Sequence, residues 1–139
     1  MNNLYETDFA AWVGRNVELL RSGRFSEVDV ENVAEEIESL GRRDRRELKN
    51  RIIEIIEHLL KITLLPDCDS VRGWRVSVVK QRAAIQDLLE ESPSLRACLT
   101  QEFLVRCYRE GREQFEIGNP ANAPEQCMFT WVDVLTHEI

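Results

Sequence analysis

Four side chains have the types and spacing for metal chemistry: Glu35 and Glu38 three residues apart, and Glu54 and His58 four apart. Helical bundles build metal centres from inward carboxylates and a Glu-x-x-His pair on each of two helices, because positions i and i+3 share a face. This chain supplies half of that motif. His58 is its one histidine within a predicted helix body, the other being His137 near the end. The competing expectation is an edge imidazole hydrogen-bonded to a carboxylate or a backbone carbonyl.

A second set of charged groups suits architecture rather than chemistry. Glu31, Glu35 and Glu38 share one flank of a predicted helix, while Arg75, Gln81 and Arg82 lie on one flank of a later one. Facing each other, they form a structural charge network in which bidentate Arg to Glu contacts set helix register. Arg42, Arg43, Arg45, Arg46, Lys49 and Arg51 crowd into ten residues. No aromatic residue interleaves with these cations, so local pairing with Asp44, Glu47 and Glu54 is expected, and nucleic acid is not. No Gly-rich phosphate loop, no G-x-S-x-G elbow and no Cys beside a His is found, so no catalytic residue is assigned. Apart from a metal ion at Glu35, Glu38, Glu54 and His58, no cofactor is implied.

Hydrophobic periodicity assigns the elements that must position these groups, and every one of them is a helix. Phe9, Trp12, Val13, Asn16 and Leu20 trace one face of a helix from Tyr5 to about Arg21, closed at Ser22-Gly23. Ser26-x-x-Asp29 resembles a capping pair for a second helix, whose stripe of Val30, Val33, Ala34, Ile37 and Leu40 is predicted to stop at Gly41. Asp44-x-x-Glu47 starts a third, which Leu48, Ile52, Ile55, Ile56, Leu59 and Ile62 mark as central and Pro66 ends. A fourth runs from about Trp74 to Glu91 with Val78, Ile85, Leu88 and Leu89 inward. Ser92-Pro93 opens a fifth that reaches Gly118-Asn119-Pro120, and Thr130-x-x-Asp133 begins a short last one.

The expected fold is therefore all-α, a single-domain bundle of five or six helices. Its main body covers about 4–117, a loop 118–129 and a short C-terminal helix 130–138. The chain has 139 residues, one domain's worth, and a formal net charge of -7, which repels nucleic acid and anionic lipid. It shows neither a basic, apolar leader nor about 18 consecutive apolar residues, so a cytoplasmic location is expected. Cys68, Cys98, Cys107 and Cys127 lack C-x-x-C pairing and are expected as reduced thiols in or near the core.

The ordered set LYETDFAAW, LLRSGRF, EEIESLG, EHLLK, GWRVSVVKQR, SPSLR and the Tyr108 to Arg112 stretch resembles the bacterial family known as domain of unknown function 29, with a weaker echo in PEQCMFT. The resemblance implies an all-helical, soluble protein of the kind found largely in cyanobacteria and proteobacteria. It carries no catalytic residues over to this chain. The functional expectation is a protein-interaction or self-association module, with a protein partner or a second copy as its ligand. The alternative is a metal-dependent enzyme or metal-binding protein using the Glu/His cluster.

Overall fold

A computed structural model describes residues 3–119 and 121–139. Six α-helices form among them, α1 (Leu4–Thr7), α2 (Phe9–Arg21), α3 (Val30–Leu64), α4 (Val71–Glu91), α5 (Gln101–Gly118) and α6 (Trp131–Leu135), with 3-10 turns at Phe25–Glu27 and Pro93–Cys98 and no strand. The all-α expectation holds. None of the described helices is long and apolar enough to cross a membrane. Tertiary contacts divide the chain into two compact units, Met1–Arg43 and Asp44–Ile139.

In the first unit, Asp8 splits the expected first helix in two. Its backbone leaves the helical region, with φ at -151° and ψ at 84°, and its carboxylate caps α2 by accepting from the Ala11 N–H at 3.1 Å. Gly23 ends α2 as expected. With φ at 75°, it lets Arg24 N–H reach Leu19 O at 2.9 Å and its own N–H reach Leu20 O at 3.3 Å, the Schellman pattern.

The face that α2 buries is Trp12, Asn16 and Leu19, while Phe9, Val13, Val17 and Leu20 of the same helix stay exposed. The predicted core stripe is thus half wrong, because burial sits to one side of it. Buried Asn16 is fully engaged: its Oδ1 accepts from Asp29 N–H and its Nδ2 donates to Trp12 O, each at 2.9 Å.

The predicted stop at Gly41 does not occur. α3 runs unbroken through it for 35 residues, and the basic cluster sits on helix, not on a turn. A single glycine costs a helix about 1 kcal/mol, which a long cooperative hydrogen-bond ladder absorbs. The cap at its start is Asp29 instead of Ser26. Val33 N–H bonds to Asp29 O at 2.9 Å, while Ser26 lies in the preceding 3-10 turn.

In the second unit, α3 supplies Leu48, Ile52, Ile53, Ile55, Ile56, Leu59 and Leu60 to the core. α4 adds Val78, Ile85 and Leu89, and α5 adds Leu104, Cys107, Tyr108 and Phe115. Ser92-Pro93 starts a 3-10 turn, and α5 begins only at Gln101, where the Thr100 side chain accepts from Phe103 N–H. Pro120, expected to help end that helix, lies outside the described residues. The last helix carries the predicted capping box of Thr130 and Asp133.

All four cysteines are free; Cys107 is buried, Cys98 and Cys127 are half-buried, and Cys68 is exposed, against its expected place near the core. Burial pushes the Cys107 thiol up to about 12 from 9.0. Its protonated form therefore favours folding fully below pH 9, and that contribution fades as pH rises towards 12. Iodoacetamide at about pH 8 should modify Cys68 in the native protein and spare Cys107 until denaturant is added, as read by peptide mass mapping.

The close approach of α5 to α3 depends on Gly111, where a Cβ would stand 2.8 Å from Ile56 Cγ2 and 3.2 Å from Ile53 O. Gly111→Ala should destabilise the protein by about 1–3 kcal/mol despite its better helix propensity. Gly14, within α2, has nothing within 4 Å of such an atom. There Gly14→Ala should stabilise by about 0.5–1 kcal/mol, and urea unfolding of the pair checks both signs.

Candidate functional site

The four metal candidates do not assemble. With no turn at Gly41, Glu35, Glu38, Glu54 and His58 all stand on one helix, not on two facing ones. Glu35 meets Arg42 at 2.7 Å and Glu38 meets the same guanidinium at 3.6 Å, both exposed pairs. Glu54 accepts from Gln81 Nε2 at 2.6 Å, and His58 Nδ1 lies 2.7 Å from Glu54 O. That is the edge histidine on a backbone carbonyl. Among the described residues, no group of three or more His, Cys, Asp or Glu side chains is arranged to hold a metal ion.

The charge network takes different partners from those expected. Glu31 is exposed on the first turn of α3, and Arg75 is exposed on α4. Gln81 sits at the centre of a polar chain within the second unit, its Oε1 accepting from Arg51 Nη1 at 2.9 Å while its amide donates to Glu54. Arg51 in turn pairs with Glu47 at 2.9 Å.

Among the described residues, Arg82 pairs with no carboxylate. Its Nη2 donates to Asp133 O at 2.8 Å and its Nε to Val134 O at 2.9 Å, so the guanidinium fork ties α6 to α4 through backbone. Burial pulls the Arg82 pKa down from its ordinary value. The basic cluster is likewise partly spoken for, with Lys49 on Glu110 at 2.7 Å and Arg42 and Arg51 paired as described.

The best-organised polar site lies in the first unit and was missed. Asp29 accepts from Trp12 Nε1 at 2.9 Å and from Asn32 Nδ2 at 2.8 Å, and these two bonds, Asn32 first, hold its carboxyl below its ordinary range. Tyr5 Oη donates to Glu36 at 2.5 Å, and that bond raises the phenol pKa. Tyr5, Phe9 and Trp12 pack as one aromatic group, with ring centroids 4.8–5.9 Å apart. Asn16, four residues after Trp12 on an otherwise apolar face, was the available signal. Its partner is a backbone amide across a loop, which periodicity does not reveal. The bonds among Trp12, Asn16, Asp29 and Asn32 fix the loop between α2 and α3, so the arrangement is a tether.

The motifs at the C-terminal end are tethers too. Tyr108 Oη donates to Pro124 O at 2.6 Å and Arg112 Nε to Ala123 O at 3.1 Å, pinning the loop that follows α5. Arg82→Ala, which removes two donors and leaves two carbonyls behind, should destabilise by about 1–3 kcal/mol. Hydrogen exchange should then show early loss of protection at the amides of Val134 and Thr136, bonded in the intact helix.

No characterised protein sequence and no solved structure matches the chain. A family model does, over residues 4–139, and it spans both units and every tether described above. The chain belongs to the family described as domain of unknown function DUF29.

Proposed function

We propose that the chain is a protein-association module whose binding surface is the apolar side of its N-terminal helical hairpin. One observation carries the reading. On α3, Val30, Ile37 and Leu40 are 65%, 63% and 56% exposed, and Phe9 and Leu20 on α2 are 48% and 42% exposed. The described residues of the first unit that are buried are only Trp12, Asn16 and Leu19. Exposed apolar side chains scattered singly need no account, but a stripe at helical spacing on each of two successive helices favours an association role.

Polar tethers agree with this use. Asp29, Asn16, Asn32 and Trp12 hold the α2 to α3 connection rigid, which lowers the ordering cost of docking. The apolar positions of the hairpin are thus pre-organised without being covered.

The reading predicts that Ile37→Glu with Leu40→Glu abolishes association while leaving unfolding within about 0.5 kcal/mol of the parent, since both sites are exposed. Light scattering after size-exclusion chromatography and capture from native lysate measure it. A strict monomer that retains nothing sinks the reading. The metal-dependent alternative replaces it if protein purified without chelator carries stoichiometric metal that His58→Ala removes.

A further inference from the structure

We infer that the polar cavity beside the α2 to α3 connection binds a small zwitterion carrying an α-ammonium and an α-carboxylate, that is, a free amino acid or a dipeptide. The site is separate from the association face, since none of Phe9, Leu20, Val30, Ile37 and Leu40 lines it. Its lining lies wholly within the first compact unit. Its volume of about 730 Å³ falls within the range of about 300–1,000 Å³ usual for small-molecule sites.

Two short stretches of sequence build the lining. Trp12, Arg15 and Asn16 stand at i, i+3 and i+4 of α2 and so share a face, while Glu27, Asp29 and Asn32 come from the connection and the first turn of α3. The bonds that tether the connection hold these groups in place before a ligand arrives.

Charge accounting selects the ligand. Both Glu27 oxygens are taken by Arg24, at 2.7 Å and 3.0 Å, so that carboxylate is already neutralised. The Asp29 carboxylate is held by neutral donors, the Trp12 indole and the Asn32 amide, and its charge stays uncompensated. Among the described residues, Arg15 forms no ion pair with any carboxylate. One cation and one anion therefore line the same cavity without meeting each other. A simple anion would be opposed by Asp29 and a simple cation by Arg15, whereas a zwitterion donates to the first and accepts from the guanidinium fork of the second.

Amide groups add neutral contacts. Asn16 is only 5% exposed, and its Nδ2 spends one hydrogen on Trp12 O, leaving the other without a partner among the described residues. The Asn32 side-chain oxygen is likewise unspent while its amide serves Asp29.

Calorimetric titration of the whole chain with each standard free amino acid and with alanyl-alanine tests the inference. At least one should bind with a Kd below about 1 mM. A response confined to the free amino acids or to alanyl-alanine says which source of the zwitterion the cavity takes. For the compound that binds, the carboxamide lacks the negative end and the N-acetyl form lacks the positive end. Each should bind about tenfold or more weakly. Arg15→Gln should erase the preference for the acid over the carboxamide and keep the preference for the free ammonium; Asp29→Asn should do the reverse. Arg15 is exposed, so its variant should keep the parental urea midpoint. Should Asp29→Asn fail to fold, the Arg15→Gln comparison decides alone.

The inference is overturned if no compound of the panel binds at about 10 mM. It is also overturned if the parent binds the acid, its carboxamide and its N-acetyl form equally, or if Arg15→Gln discriminates among them as the parent does. None of these outcomes touches the association face.

Discussion

Continuity of α3 is the constraint from which the other features follow. Its hydrogen-bond ladder passes Gly41 without a break, so the acidic segment and the basic segment become one helix and contribute to both compact units. From Leu48 onwards its apolar stripe is sealed by α4, α5 and the loop that follows α5. Before Leu48 the same periodicity continues, yet Ile37 and Leu40 meet solvent. A stripe that is covered in one half and bare in the other accounts for the association reading.

The motifs through which the chain resembles its family turn out to be anchors. In LYETDFAAW, Asp8 caps α2, Tyr5 holds Glu36 and Trp12 holds Asp29. In GWRVSVVKQR, Gln81 bridges Arg51 and Glu54, and Arg82 grips the backbone of α6. In the Tyr108 to Arg112 stretch, Tyr108 and Arg112 pin a loop and Gly111 admits Ile56. Polar residues with fixed partners explain why such stretches read as ordered motifs.

Sequence reading reached the central helix and the caps at Gly23 and Thr130 because both are local. Burial of Leu48, Ile52, Ile55 and Ile56 follows from spacing, and Gly23 and Thr130 act within a few residues of themselves. It failed at Gly41, where a weak local preference met a cooperative ladder. It failed again at Arg82, because pairing by sign of charge ignores that a guanidinium is equally served by carbonyls, here more than fifty residues away. The metal grouping fell with Gly41, since its carboxylates needed a turn between them.

Local chemistry in the chain was enough to determine an all-helical protein, the caps at Gly23 and Thr130, the buried half of α3 and the acidic-then-basic order around Leu40, because each depends on neighbours within a turn or two. Tertiary structure alone decided which apolar stripe is covered, where Arg82 and Tyr108 send their donors, and that Asn16 is buried beside Trp12. Periodicity reports that a face is apolar, whereas burial depends on whether another element arrives to cover it.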